Sequence, residues 1–249
     1  MIFPVPGWDM GFTRHLKHGI IGINYSLDAY DEKTISHINN NGKNVIFFVM
    51  DKAELWNDIK ERYSLREKES FFVGESLVVR AQSTRPPVKK DIDLAKDIMN
   101  AEEVFLSTPD SSRKKICIKK TSKWQCSQHS WNYVGDINSI MDGMRQHAVW
   151  AHPRSRKLLN IVYANKNQST RLLFRTAFRE SAYRHKDGAP VEVTVKADNE
   201  KILEYTNKNI KKTYINEVTF PASVKKITIQ IYTEHDGARH FIYNGFLGR

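Results

Sequence analysis

The second part of the chain is dominated by short segments typical of β-strands. They are rich in Val, Ile, Thr, Tyr and Phe, are separated by Gly, Pro, Asp or Asn, and follow one another without an intervening helical pattern. The segments are EVFLSTP, KKICIKK, LLNIVYA, TRLLFRTAF, PVEVTVKA, EKILEYT, TYINEVTF, VKKITIQIYTE and RHFIYNGFLG. In VEVTVKA and KKITIQIY, apolar and polar residues alternate, so each strand has one buried face. This pattern predicts an antiparallel β-sandwich or barrel over residues 101–249.

The first part of the chain shows a different order of elements. Three apolar runs indicate strands, at 18–24, 44–50 and 75–82, and helical spacing lies between them, at 31–42 and 51–63. The order β-α-β-α-β predicts a small parallel sheet with crossover helices over residues 1–83. The turn after the first strand, NYSLDAYD, has no glycine-rich phosphate loop, so we expect no nucleotide site.

Two prolines and a charged flank in STRPPVKKDIDLAKD indicate a boundary between the two parts. We assign residues 84–100 to a linker that leads into a short helix. The fold class predicted for the 249 residues is therefore α+β, with a small α/β unit followed by a β-sandwich.

The net charge of +11 is placed unevenly. Residues 1–100 carry equal numbers of basic and acidic side chains, so the whole excess lies in residues 101–249. A basic sandwich favours an anionic neighbour, such as a phosphorylated glycan, a lipid headgroup or nucleic acid. For nucleic acid, phosphate contacts would come from KKICIKKTSK, from KNIKKT and from Arg171, Arg175 and Arg179, which alternate along one strand.

The two cysteines, Cys117 and Cys126, have two compatible arrangements: a bridge between adjacent strands, or two buried thiols. Nothing near them has zinc-ligand spacing. The sequence has no run of 18 apolar residues, and its N-terminus lacks the features of a signal peptide. The chain as given is therefore expected to be soluble, although a soluble chain is also compatible with the tail of a membrane protein.

The stretch DGMRQHAVWAHP concentrates polar and aromatic side chains. As a strand, it would place Arg145 and His147 on one face and Trp150 and His152 on the other, so the two histidines could not share a metal ion. We expect no metal and no cofactor. Two interpretations remain: a structural strand with Trp150 in the core or at its rim, or a ligand surface on which Trp150 stacks against a sugar ring.

A second aromatic stretch, SKWQCSQHSWNYVGD, precedes it. Dense aromatic residues line binding faces or pack cores. The segment EHDGARHF combines acidic and histidine residues at a turn, for which a solvated loop is the simpler interpretation. No nucleophile elbow or zinc-protease motif is present, so no residue is predicted to be catalytic. The candidate ligand-binding residues are Trp124, Trp131, Tyr133, Arg145, His147, Trp150 and His152.

Residues 101–249 resemble the galactose-binding-like jelly-roll domains found as carbohydrate-binding modules. The resemblance depends on SKWQCSQHSW, on DGMRQHAVWAHP before an apolar strand, on TRLLFRTAF, on the hairpin DGAPVEVTVKADNEKI, and on VKKITIQIYTE with a closing strand after an acidic turn. With GKNVIFFVMDKAELWNDIKERY upstream, the order is also similar to the extramembrane tails of polytopic glycosyltransferases. The resemblance implies a jelly-roll sandwich that binds glycan beside a membrane.

The leading hypothesis is a non-catalytic part of a membrane-associated glycan-assembly protein that binds glycan or glycan-phosphate. Any catalysis, as a glycosyltransferase, would reside elsewhere. The alternatives are a nucleic-acid-binding protein that uses the basic surface and a free-standing carbohydrate-active hydrolase. The expected location is the extracytoplasmic face of a membrane, with a possible anionic membrane contact, for a tail fragment. It is the cytoplasm if Met1 is the native start.

Overall fold

A computed structural model describes residues 2–3, 23–24, 46–50, 56–57, 60, 65–83, 89–109, 111–141, 144–183, 185, 188–208, 210 and 213–249. The chain divides into two compact units, Met1–Val88 and Lys89–Arg249. The division places the segment 89–100 with the second unit. That segment belongs to the stretch 84–100, for which the sequence predicts a linker.

The first unit contains a five-stranded mixed sheet. Its strands are β1 (Ile2–Phe3), β2 (Ile23–Asn24), β3 (Ile46–Met50), β4 (Leu65–Val73) and β5 (Ser76–Ser83). Their order in the sheet is β2-β1-β3-β5-β4. β1 pairs parallel with β2 and β3, whereas β3, β5 and β4 pair antiparallel.

This arrangement corrects the predicted parallel β-α-β-α-β unit. The last predicted strand is present as β5, but it runs antiparallel to β3 and forms a hairpin with β4, which the sequence interpretation lacked. The hairpin turns at Gly74, whose φ of 61° favours glycine. Trp56, Asn57 and Lys60, from the second predicted helix, have helical backbone. The first predicted helix, 31–42, lies outside the described residues.

The second unit is a sandwich of two antiparallel sheets. The strands are β6 (Lys90–Asp93), β7 (Glu103–Thr108), β8 (Ser111–Ile116), β9 (Ile118–Lys119), β10 (Trp124–Gln125), β11 (Tyr133–Met141), β12 (Met144–Ala151), β13 (Leu158–Ala164), β14 (Arg171–Phe178), β15 (Val191–Ala197), β16 (Glu200–Asn207), β17 (Tyr214–Thr219), β18 (Lys226–Tyr232) and β19 (Phe241–Gly248). The eight-stranded sheet has the order β17-β14-β19-β12-β11-β10-β9, and its eighth strand, β6, pairs with β19. The six-stranded sheet has the order β16-β15-β18-β13-β7-β8.

Each of the nine segments identified in the sequence contains a strand, and the β-sandwich is confirmed. The chain passes repeatedly between the two sheets, as the jelly-roll resemblance implied. Helical structure in the described part of this unit is limited to a 3-10 turn, Ile98–Asn100, and one short helix, α1 (Glu180–Tyr183).

The main core lies between the two sheets. Alternate residues of the six-stranded sheet face it, including Val193, Ile229 and Ile231, and they meet Phe174 and Leu247 from the eight-stranded sheet. A polar contact also crosses the core. The Tyr163 and Tyr243 hydroxyls are 2.8 Å apart, and the Tyr163 hydroxyl donates to the Leu94 carbonyl. Burial of alternate residues therefore fixes which face of each strand points outward.

A substitution at Gly245 tests how closely the backbones of β14 and β19 approach each other. Its φ is 154°, and a Cβ at this position would overlap the Leu173 carbonyl oxygen. We expect Gly245→Ala to lower the free energy of unfolding by more than about 2 kcal/mol, measured by urea titration. Gly237→Ala is the matched control because a Cβ there meets nothing within 4 Å, and it should change stability by less than about 0.5 kcal/mol. Equal effects of the two substitutions would contradict the packing described here.

Candidate functional site

Three strand ends meet at one end of the eight-stranded sheet. In the register of this sheet, Trp150 is opposite Ile242, and Phe178 is opposite Phe241. β12 and β14 therefore end where β19 begins, and the residues just beyond these strand ends lie at the same end of the sheet. These residues are His152 after β12, Arg179 after β14 and His240 before β19.

A group of aromatic rings occupies this end of the sheet, and we call Trp131, Trp150, His152 and His240 the end cluster. The ring centroids of Trp150 lie 5.7 Å from those of His152 and 5.2 Å from those of His240. Trp131 lies 4.6 Å from His152. Tyr133 stacks on Trp150 at 5.7 Å, and the Arg179 guanidinium lies over the Trp150 ring at the same distance.

Trp150 is at the outer face of the sheet, where it is only 6% exposed. It packs with Ala148, Ala177 and Ile242 in a small cluster separate from the main core. Its indole N–H donates to the Trp131 carbonyl oxygen at 3.0 Å. Trp150 therefore forms the floor of the end cluster.

The loop 126–132 places Trp131 above this floor. Cys117 and Cys126 form a disulfide, which resolves the two arrangements left open by the sequence. Beside the bridge, the Cys126 amide donates to the Asn132 carbonyl, and the Asn132 side chain donates to the His152 carbonyl. These contacts hold the loop, while the Trp131 side chain remains 39% exposed and stacks on His129.

His152 is neutral at physiological pH. Burial lowers its pKa to about 4, against a hydrogen bond from Nδ1 to the Pro153 carbonyl that favours the charged form. Because a carbonyl can only accept, Nδ1 carries the proton and donates. The other ring nitrogen, Nε2, is then a hydrogen-bond acceptor.

His240 forms the side of the cluster nearest to helix α1. Its Nδ1 lies 2.5 Å from the Ser181 hydroxyl. Burial is the main cause that lowers the pKa of His240, with further contributions from the positive charges of Arg179 and Arg239. A base that assists a serine nucleophile needs its imidazolium to be stabilised, and these cations do the opposite. The Ser181–His240 pair therefore supports hydrogen bonding and gives no support for acyl transfer.

Arg239 fixes helix α1, which carries Ser181, and the loop that carries His240. Its side chain is fully buried and donates to the carbonyls of Gly237, Ala189 and Ala182 at 3.0, 3.0 and 3.2 Å. Its guanidinium also lies over the Phe178 ring. Gly188 leaves the space for it, because a Cβ on Gly188 would overlap the guanidinium. This one side chain holds two loops together through backbone contacts.

Four of the seven candidate residues from the sequence meet at the end cluster: Trp131, Tyr133, Trp150 and His152. Trp124 does not, because it is buried in the main core and donates its indole N–H to the Ile98 carbonyl. His147 lies on the other face of β12 and contacts Asp136 at 2.9 Å. Arg145 is five residues from Trp150, roughly 17 Å along the strand.

The predicted alternation of DGMRQHAVWAHP is confirmed for its central residues. Val149 and Ala151 face the main core, and Ala148 and Trp150 face outward. Trp150 is therefore buried, as the structural interpretation expects, and it lies next to the exposed Trp131.

The candidate binding residues predicted from the sequence did not include Arg179, Ser181 or His240. The strand order brings these residues to the cluster, although His240 is roughly 110 residues from Trp131 along the chain. His240 lies in the segment EHDGARHF, for which the sequence favours a solvated loop. Only the pairing of β19 with β12 and β14 would have identified it.

The arginines of β14 do not form an exposed basic row. Arg171 forms an ion pair with Glu217, and Arg175 is buried with its Nε donating to Asn244. Arg179 is exposed at the end of the strand. The predicted phosphate contacts along this strand face are therefore reduced to one side chain.

The described residues contain no group of three or more His, Cys, Asp or Glu side chains arranged to hold a metal ion. They also contain no helix that is both long and apolar enough to cross a membrane.

Comparison with known proteins gives matches in structure only. No protein-family model matches the sequence, and no curated protein sequence matches it significantly. Several solved structures are similar, and the chain spans 41% of the length of the first of them.

That structure contains the CBM51-2 and INT domains of Clostridium perfringens ZmpB, with 13% identity, 74% of this chain covered and a TM-score of 0.39. The tandem CBM51 modules of a family 98 glycoside hydrolase from Streptococcus pneumoniae match with 14% identity, 71% of this chain, 56% of theirs and a TM-score of 0.41. A mannan-recognising carbohydrate-binding module, TmCBM27, matches with 11% identity, 65% of this chain, 97% of its own and a TM-score of 0.35.

The pKa of His152 predicts a pH dependence of stability. The pKa is about 4 in the folded chain against 6.5 for a free histidine, so between these values the unfolded chain binds a proton that the folded chain does not. The contribution of neutral His152 to the free energy of unfolding is fully present above pH 6.5 and falls as the pH is lowered toward 4. We expect a loss of about 3 kcal/mol from this group over that window.

Urea titrations at several pH values would measure this loss, with His152→Gln as the comparison. The variant lacks the titrating imidazole, so its free energy of unfolding should fall less steeply between pH 6.5 and 4. Parallel slopes for the two proteins would show that His152 is not the group responsible.

Proposed function

We propose that the end cluster binds a sugar residue of a glycan. The observation that carries this proposal is the half-exposed Trp131 ring beside a buried group of aromatic rings and neutral imidazoles. The C–H face of a pyranose ring is apolar and packs against an indole, whereas its hydroxyls need directed hydrogen bonds. The cluster offers both kinds of contact within a few ångströms.

The polar partners at the cluster differ in what they can recognise. The His152 ring is buried, so a ligand would meet the exposed Ser181 hydroxyl, which can donate or accept. Arg179 is exposed and lies over Trp150, and its guanidinium is a donor only. This set suits neutral hydroxyls and also a carboxylate or phosphate on the sugar.

The cluster is also held in place before any ligand binds. The disulfide and the Asn132 contacts fix the Trp131 loop, and Arg239 fixes helix α1, which carries Ser181, and the loop of His240. A preorganised site loses less conformational entropy on binding, so a small ligand can be bound through few contacts.

Replacement of Trp131 tests this proposal. We expect Trp131→Ala to weaken glycan binding by roughly tenfold to hundredfold, because the stacking surface is removed while the buried rings remain. An array of immobilised glycans would identify a ligand, and titration calorimetry would compare the variants. Ile140→Ala is the control, since Ile140 is another exposed apolar side chain, 62% exposed, and should leave binding unchanged.

Two outcomes would contradict the proposal. One is unchanged glycan affinity in Trp131→Ala. The other is binding that is indifferent to the sugar and collapses as salt is raised, which would indicate a nucleic-acid-binding surface instead.

We further propose that the chain is the non-catalytic part of a membrane-associated glycan-assembly protein on an extracytoplasmic face. The Cys117–Cys126 disulfide supports this location, because disulfides persist in oxidising compartments. The net charge of +11 supports a setting rich in anionic groups. Transfer chemistry would then belong to a partner or to another segment.

Thiol alkylation in the source cells would test the location. We expect the cysteines to resist alkylation until a reductant is added, with Cys117→Ser/Cys126→Ser as the control that never reacts. Prompt alkylation of both cysteines without a reductant would indicate a reducing compartment such as the cytoplasm and would overturn this part of the proposal.

A further inference from the structure

A continuous basic segment runs along one side of the sandwich. β8 is the edge strand of the six-stranded sheet, and β9 is the edge strand of the eight-stranded sheet. Only Cys117 separates them, so the chain passes here from the edge of one sheet to the edge of the other. We call residues 113–123 the basic edge.

Every charged residue of the basic edge is positive. Its charged residues are Arg113, Lys114, Lys115, Lys119, Lys120 and Lys123. No acidic residue occurs in the sequence between Asp110 and Asp136. Lys114 forms an ion pair with Glu103 of the neighbouring strand, but within the described chain no carboxylate pairs with Lys115, Lys119 or Lys120.

Two large apolar side chains are exposed between the lysines of the basic edge. Ile116 is 52% exposed and Ile118 is 69% exposed, on either side of the buried Cys117. Lysines on an edge strand are an ordinary way of preventing strand pairing between molecules. Exposed isoleucines have the opposite effect, so protection of the edge does not explain them.

We propose that the basic edge docks on an anionic lipid surface. Lysine side chains near such a surface are attracted to lipid headgroups, and adjacent apolar side chains enter the boundary between headgroups and acyl chains. Ile116 and Ile118, with basic residues on both sides of them in the sequence, supply both contacts on one strip. Nucleic acid would use the lysines, but its recognition depends mainly on phosphate contacts, base edges and aromatic stacking, to which two isoleucines contribute little. A second copy of the chain would bring together two edges of the same charge.

Sedimentation of the full chain with lipid vesicles tests this proposal. We expect binding to vesicles of equal parts phosphatidylcholine and phosphatidylglycerol, no binding to pure phosphatidylcholine, and weaker binding as salt is raised. Lys119→Gln/Lys120→Gln should weaken binding by about 25-fold, at about fivefold for each lysine. Ile116→Ser/Ile118→Ser should weaken it by roughly tenfold or more and should leave the salt dependence unchanged.

The matched controls are exposed residues elsewhere. Lys166→Gln/Lys225→Gln removes two exposed lysines, and Ile140→Ser removes one exposed isoleucine; neither should alter vesicle binding. Thermal unfolding of every variant would establish that the sandwich is intact. Trp131→Ala should bind vesicles normally, so a failure of the glycan proposal and a failure of this one give different results.

Three results would overturn the docking proposal. Equal binding to neutral and anionic vesicles would show that the charge is not used. Full vesicle binding by Ile116→Ser/Ile118→Ser, together with tighter binding to duplex DNA, would identify a nucleic-acid surface. A dimer that is lost in the isoleucine variant, without vesicle binding, would identify an edge that pairs with a second copy.

Discussion

Burial of alternate residues between the two sheets is the constraint on which the rest of the second unit depends. A strand has a period of two, so the inward positions of Val149 and Ala151 force Ala148 and Trp150 to the outer face of the sheet. An indole on that face must be covered to avoid a large exposed apolar surface. Tyr133, His152 and His240 cover it, and the aromatic site is therefore a consequence of how the core is filled.

The loops around the site are held by contacts that need little secondary structure. A disulfide anchors the Trp131 loop, and Arg239 anchors the other two loops through backbone carbonyls. A buried guanidinium must satisfy its donors within the protein, and carbonyls of irregular loops are the acceptors that sheets leave unused. Burial of Arg239 and order in these loops are thus two aspects of the same arrangement.

Much of the sandwich was predictable because its strands carry a local signal. VEVTVKA alternates cleanly, and the same period placed Trp150 and His147 on opposite faces of β12. The direction of strand pairing in the first unit was not predictable, since an apolar run such as IFFVM suits parallel and antiparallel neighbours alike. Residue type alone could not separate Trp124, which packs the core, from Trp131, which is exposed. Arg179, Ser181 and His240 depend on strand order, which no local pattern contains.

The disulfide also relates the two proposed surfaces to each other. Cys117 lies between Ile116 and Ile118 of the basic edge, and Cys126 begins the loop that carries Trp131. The Cα atoms of the bridged residues are 4.3 Å apart, so a short covalent path within one sandwich connects the basic edge to the loop that carries Trp131. A flexible linker would let a glycan site sample many heights above a bilayer. Under the two proposals, docking of the basic edge on a bilayer would also set the orientation of the end cluster relative to that bilayer.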